Sequence, residues 1–347
     1  TAMATDILTA AGLDPTGFVG GRVPGWASNL RLGNSDLFVV EADEFDRSFH
    51  QLRPHVAVVT NMEADHLDVY ADFQGVREAF VTFLDGVAEG GRVAVCGDDP
   101  GAGSLLAGLG EKGFSYGTGA GAQLRGVKVE DREGRTSFTV LEEGEEQERI
   151  ALQVPGLHNV RNALGAAAAA RFLEVSWSDI RKGLGSFGGV GRRFQVLGEE
   201  KGVLVVDDYA HHPTEIRATI SAARARYPDR RVVAVFQPHL YSRTRDFAPE
   251  FGEALAQADE IWVSEIYPAR EDPIPGVTGV LVAQATLDAG AQHVFFHSHL
   301  SDFPRELVPS LQPGDLCLIM GAGTIEFLGP DIVAGLRKGV RGEGERP

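Results

Sequence analysis

Two stretches of this chain place acids and an imidazole where a divalent cation could be met. In LFVVEADEFDRSF, Glu41 and Asp43 follow an apolar run, and in VAVVTNMEADH, Asn61, Asp65 and His66 follow another. Each run reads as a buried strand of a parallel sheet that breaks into polar side chains at its carboxyl end. The crevice beyond such ends receives groups from several strands, so Glu41 and His66 can meet there although 25 residues separate them. One carboxylate and one imidazole are too few for a closed metal cage. They suit Mg²⁺, which keeps waters and takes phosphate oxygens as its remaining ligands. The plainer alternative for each acid is a solvated charge or a helix cap; dense clusters at two successive strand ends favour a site.

The second half concentrates its chemistry in the same way. DDYAHHP (207–213), QPHLYSRTRD (237–246) and EIYPAREDPIPG (265–276) each follow an apolar run, so Tyr, His, Arg and Asp recur along one sheet edge. A helix start at HHPTE would account for Pro213 as the turn and Thr214 as the cap, leaving the adjacent histidines for a site.

The elements that must hold these groups are legible in outline. With 347 residues and 43% hydrophobic content, the chain is expected to form two globular domains. A helix-like pattern opens the chain at TAMATDILTAAGL (1–13). Another helix is expected at VREAFVTFLDGV (76–87), a strand at RVAVCGDDP (92–100), and an antiparallel meander between Ser115 and Leu152. The Ala-rich run 159–175 and the segment from Trp177 to Leu184 predict packed helices, and GSFGGVGRRF (185–194) predicts a glycine-rich linker. Beyond it, five apolar runs alternate with helical patterns, as in a doubly wound sheet. The fold class expected is α/β with two doubly wound domains, 1–188 and 189–347, the first carrying the meander and the second smaller and Rossmann-like. A formal net charge of −17, from 49 acids and 32 bases, argues against nucleic-acid binding. Cys96 and Cys317 sit in apolar runs and imply no disulfide framework. No membrane-length apolar run or signal-peptide pattern is present, which makes a cytoplasmic protein the expectation.

Eight segments in order, EADEFDRSF, TNMEADHLDVY, GLHNVRNALGA, GGVGRRF, DDYAHHPTE, FQPHLYSRTRDF, EIYPAREDPIPG and MGAGTIEFLG, resemble the motif series of the Mur ligases, and within them the alanine-adding branch. The resemblance runs from residue 1 to about 330. It implies an ATP-dependent amide ligase with a P-loop-type central domain. The carboxylate of UDP-N-acetylmuramate would be activated as an acyl phosphate and then coupled to L-alanine in peptidoglycan precursor synthesis. It assigns Glu41 and His66 to Mg²⁺, Asn61 to the phosphates, and His158, Asn159 and Asn162 to the adenine. Arg192 and Arg193 fall to the nucleotide at the domain junction, Asp208 to a ribose hydroxyl, and Tyr209, His211, His239 and Arg243 to the alanine and the reacting carboxyl. Capping is the plainer role for Asn159 at a helix start. Because these residues divide between two domains, the reading requires the domains to close on bound nucleotide.

The family's UDP-binding domain and its Gly-Lys-Thr/Ser phosphate loop have no match among these residues, so the chain by itself is expected to be inactive. Where sister branches carry a carbamylated lysine, this chain has Phe80, which agrees with the alanine-adding branch. Two alternatives stand beside it: a recycling ligase that attaches a ready-made tripeptide to the same sugar nucleotide, and a non-catalytic nucleotide or UDP-sugar binding protein.

Overall fold

Strands and helices alternate along most of the chain in two separate units, Thr1–Val190 and Gly191–Pro347. The computed structural model describes residues 1–64, 67–132 and 135–338.

The first unit opens with the helix Ala2–Ala10, which buries Ile7 and Leu8. Strands β1 (Thr16–Val23), β2 (Ser28–Arg31) and β3 (Phe38–Val40) form a small sheet in the order β2-β1-β3, with β1 parallel to β3. The expectation of a buried strand before Glu41 is corrected here: Phe38 is 72% and Val40 41% exposed. β3 is a three-residue edge strand whose side chains alternate, and it packs Val39 against the core. Strands β4 (Val56–Val59), β5 (Arg92–Cys96), β6 (Gly113–Gly117), β7 (Leu124–Arg132), β8 (Arg135–Glu142) and β9 (Glu145–Leu152) form a second sheet in that order. β4 to β7 run parallel and β7 to β9 form the expected antiparallel meander. The strands before Glu41 and Asn61 thus belong to different sheets.

The helices Leu157–Arg171 and Trp177–Ser186 cover this unit's core, and their small residues decide how closely they pack. A Cβ added to Gly183 would stand 2.4 Å from the Cα of Ile7, so the two helix backbones meet there.

The second unit is one six-stranded sheet. Its strands β10 (Gln195–Glu200), β11 (Val203–Asp208), β12 (Arg231–Phe236), β13 (Glu260–Ser264), β14 (Val294–His297) and β15 (Asp315–Met320) lie in the order β10-β11-β15-β12-β13-β14. β11, β12, β13 and β15 are buried nearly throughout, as apolar strands covered on both faces must be. The antiparallel edge strand β10 is absent from the sequence expectation. It joins β11 through a tight turn in which Lys201 and Gly202 both take positive φ, 52° and 78°. That backbone matches the twist of a two-residue hairpin. Among the described residues no helix is long and apolar enough to cross a membrane.

Gly183→Ala is expected to destabilise the first unit by about 1–3 kcal/mol, because the methyl must displace the Ile7 backbone. A thermal melt of the variant should show a lowered midpoint; an unchanged one would mean that the helices separate without cost.

Candidate active site at the strand ends

In the second unit, Tyr209 and His211 follow β11, His239 and Arg243 follow β12, and Tyr267 follows β13. Four of these rings form a row. Centroids lie 5.1 Å apart for Tyr209 and His211, 5.7 Å for His211 and His239, and 5.7 Å for His239 and Tyr267, the last pair nearly parallel. Sequence reasoning does not single out Tyr267, although its motif marks a strand end. Backbone pairing places it: Leu240 N–H donates to Tyr267 O at 3.0 Å, and Tyr267 N–H to Pro238 O at 2.8 Å. Leu240 between them has φ 70°, a strained value for leucine that these bonds hold in place. A Cβ on Gly323, in the loop after β15, would stand 2.5 Å from the Tyr267 ring, so glycine is required there.

Protonation in the row follows from its partners. His211 Nδ1 lies 2.9 Å from the Tyr209 carbonyl oxygen and 3.2 Å from Glu215 Oε2. Both neighbours can only accept, so Nδ1 carries a proton directed at them. Buried Arg243 brings Nη1 to 3.5 Å from His239 Nδ1. His212 has a different place. It is the N-cap of the helix Pro213–Arg226, whose Glu215 accepts from the N–H groups of His211 and His212 at 2.9 and 3.2 Å. The cap is therefore His212 and not Thr214, because Pro213 takes the first helical position, where its missing N–H costs nothing. Burial works to raise Glu215, but the charges of His211 and Arg193 and these N–H donors hold it below its ordinary value.

Arg192 and Arg193 both approach the ring of Tyr209, at 5.2 and 5.4 Å. Arg192 also donates to Asp207 at 3.0 Å and to the Gly321 carbonyl at 2.6 Å, while Arg193 lies 3.5 Å from Glu215. Asp208 turns inward. Its carboxylate accepts from the N–H groups of Phe194 and Ala210 at 2.7 and 2.8 Å and from the Thr219 hydroxyl at 3.2 Å. Both oxygens are thus directed at the chain's own donors, the geometry of a group that organises the loop. Burial raises Asp208 from 3.8 to about 6, against the lowering effect of Arg193 and these bonds.

In the first unit Glu41 is exposed at the end of β3, with its Oε1 3.0 Å from where a Cβ on Gly20 would lie. Asp43 serves its own turn, accepting from Phe45 N–H at 2.9 Å. Asn61 is exposed after β4 and accepts from the Thr60 hydroxyl at 3.0 Å. Asp65 and His66 lie outside the described residues. Among the described residues no three His, Cys, Asp or Glu side chains converge on a cation position. A Mg²⁺ ion held by one carboxylate, waters and phosphate oxygens needs no such group, and an exposed Glu41 fits that mode. His158, Asn159 and Asn162 lie in the first turns of the helix Leu157–Arg171, where Asn159 and Asn162, three residues apart, share a face. Asn159 Nδ2 donates to Pro155 O at 2.7 Å, leaving its amide oxygen as the acceptor; Asn162 is exposed. Phe80 is half-buried and packs against the core, its ring edge-on to Phe49 at 5.4 Å.

The buried carboxyl of Asp208 has a measurable consequence. Its folded-state value lies above that of an unfolded aspartate, so the folded protein holds the extra proton. Its contribution to stability is complete below about pH 3.8 and is lost as pH rises through about 6, a span of up to about 3 kcal/mol. Asp208→Asn is expected to remove this fall between pH 4 and 6.5 from denaturant-unfolding profiles. Parallel profiles for the two proteins would show that Asp208 titrates as it does in the unfolded chain.

Comparison with known proteins identifies the family. The Mur ligase middle-domain model matches residues 22–170, and the Mur ligase glutamate ligase domain model matches residues 192–323. A UDP-N-acetylmuramate–L-alanine ligase of Salinibacter ruber is 45% identical over 326 residues, covering 94% of this chain and 68% of that protein. One from Burkholderia thailandensis is 42% identical over 331 residues, covering 94% and 71%. Among solved structures, the UDP-N-acetylmuramate–alanine ligase of Thermotoga maritima superposes with a TM-score of 0.81 at 26% identity, covering 97% of this chain and 72% of that one. With both domain models matched in order and relatives this similar along nearly its whole length, the chain belongs to the Mur ligase family.

Proposed function

We propose that this chain carries the catalytic strand ends of an ATP-dependent ligase that joins L-alanine to the carboxylate of UDP-N-acetylmuramate in peptidoglycan precursor synthesis, in the cytoplasm. The row of His211, His239 and Arg243 at the carboxyl ends of β11 and β12 carries the reading, in a chain 45% identical to an enzyme of that name.

The chemistry divides between the units. In the first, Asn61 serves the phosphates, and His158, Asn159 and Asn162 serve the adenine, whose edge offers both donors and acceptors to amide groups. Glu41, with His66, would hold Mg²⁺, which when bound offsets charge on the transferring phosphoryl group. A muramate carboxylate oxygen attacks the γ-phosphorus and ADP leaves. The alanine nitrogen then attacks the carbonyl carbon of the acyl phosphate, the bond to the phosphate oxygen breaks, and the amine gives up a proton. His211, oriented through Nδ1 by the Tyr209 carbonyl and Glu215, stands among the groups that serve that last step. His239 and Arg243 flank it with a cation for the anionic groups, and Tyr209 supports Arg192 and Arg193 toward the nucleotide. Asp208 serves by position, fixing the loop that bears Tyr209 and His211.

The reading is tested with the full gene product that contains this chain, by phosphate release from ATP with UDP-N-acetylmuramate and either L-alanine or a tripeptide. Release that depends on L-alanine is expected. Dependence on tripeptide alone would make the protein a recycling ligase, and no release with either would make it a binding protein. In the same protein Glu41→Ala is expected to lower kcat by on the order of 100-fold or more while ATP affinity changes little, since the ion acts on the transferring group. Undiminished turnover at low Mg²⁺ would remove Glu41 from the metal.

A further inference from the structure

Two consecutive acids at the end of β5, Asp98 and Asp99, take no part in the roles described so far. Asp98 is the more heavily bonded. Its carboxylate, with a side chain only 8% exposed, accepts from Thr118 N–H and the Thr118 hydroxyl at 2.7 Å each, from Gly119 N–H at 2.8 Å, and from Arg161 Nε at 2.9 Å. The turn after β6 wraps the carboxylate so closely that a Cβ on Gly117 would lie 2.5 Å from Asp98 Oδ1. Burial pulls against ionisation, yet these donors together hold Asp98 down to about 2. It is therefore charged wherever the protein works.

The placement of Arg161 gives this cluster its meaning. Arg161 lies between Asn159 and Asn162 in the first turns of the helix Leu157–Arg171, so the bond to Asp98 fixes those turns against the carboxyl end of the parallel sheet. Asp99 faces the other way. Its Oδ1 accepts from Ala102 N–H at 2.7 Å, capping the short helix Pro100–Gly103, and from Met62 N–H at 3.1 Å. A Cβ on Gly101 would stand 2.0 Å from the Met62 carbonyl oxygen, so the segment beside Asn61 is seated against that helix with no slack. Neighbouring acids thus grip two segments: one bears His158, Asn159 and Asn162, the other bears Asn61.

We infer that Asp98 and Asp99 are the positioning pair of the nucleotide subsite, Asp98 setting the adenine-facing helix turn through Arg161 and Asp99 setting the Asn61 loop through Met62. This rests on the adenine and phosphate roles proposed above. Loss of the ionic link lets the turn shift, and a displacement of about 1 Å in a positioning group can cost on the order of 100-fold.

The test uses the full gene product. Asp98→Asn is expected to raise KM for ATP about tenfold or more and to narrow the preference for ATP over GTP, while KM for UDP-N-acetylmuramate and L-alanine stays within about twofold. Arg161→Gln removes the same link from its half-exposed side and should reproduce the effect. The double variant should be no worse than the stronger single one, because both break one interaction. Arg161→Gln also decides the matter if Asp98→Asn does not fold. Asp99→Asn should raise KM for ATP without changing the base preference. A lowered melting point with unaltered ATP KM and ATP-to-GTP ratio in Asp98→Asn, or in Arg161→Gln where the former does not fold, would overturn the inference and leave a stabilising cluster. Asn159→Ala and Asn162→Ala test the underlying reading separately. If neither moves KM for ATP, the adenine assignment fails, whatever the Asp98 variant does.

Discussion

A carboxylate buried at the end of a parallel strand is the constraint on which the second unit's site depends. Asp208 is the last residue of β11, and its oxygens draw in the backbone on both sides: Phe194, just past the paired arginines, and Ala210, between Tyr209 and His211. Without that acceptor two buried N–H groups would lose their partners, each at a cost of about 1–3 kcal/mol. With it, the segment 192–194 and the loop 209–211 are laid against each other. Tyr209 then comes within reach of Arg192 and Arg193, and His211 within reach of Glu215. The site is therefore held from beneath by a group that need not touch a ligand. Retaining an acid whose own ionisation is opposed by burial is the cost of that order.

The first unit uses the same device with the opposite electrostatic balance. Asp98 lies two residues beyond the parallel strand β5 and also gathers the N–H groups of a neighbouring turn, but it adds a guanidinium. Asp208 has Arg193 as a charge acting on it, with backbone and hydroxyl donors in contact. Burial sets the two apart: it is deeper around Asp208, which is left near 6, whereas around Asp98 the Thr118 and Gly119 donors, with Arg161, outweigh it and pull the group down to about 2. Parallel strands end with carbonyl and N–H groups that the sheet no longer pairs, and loops leaving them must satisfy those groups locally. A short acid placed there meets the need and fixes the loop in one step.

Much of this was legible in the residues, and the gaps have physical causes. Apolar runs such as VLVV, VVAVF and DLCLIM mark strands covered on both faces, and polar clusters just beyond them mark the ends where ligands bind. β10 escapes such reading because its side chains are half-exposed and its register shifts between Val196 and Gly198, so no clean alternation survives. LFVV before Glu41 looks like a buried strand, yet apolar content says nothing of what covers it, and Phe38 lies open. Thr214 is of the usual capping type, yet Pro213 takes the first helical position and leaves the cap to His212. Tyr267 is placed by backbone bonds across 27 residues to Leu240, a distance at which local pattern is silent. The roles of Asp98 and Arg161 likewise appear only when residues 63 apart meet.

Charge completes the account of why the site needs these supports. A nucleotide triphosphate is a polyanion approaching a chain with a formal net charge of −17. The arginines at the strand ends do not offset this in full, because several are already matched: Arg192 with Asp207, Arg193 with Glu215, Arg161 with Asp98. Such pairing orients a guanidinium and lowers its entropy, but it also neutralises much of the field the guanidinium would present. Attraction over distance is therefore weak, and affinity has to come from short-range donors placed in advance. The divalent ion proposed at Glu41 would supply charge without a carboxylate partner for every positive unit, which an arginine in this acidic surrounding cannot do. Under the proposed function, then, orientation replaces net charge as the means by which an acidic scaffold holds phosphate, and the aspartates buried at and just beyond the strand ends would fix that orientation.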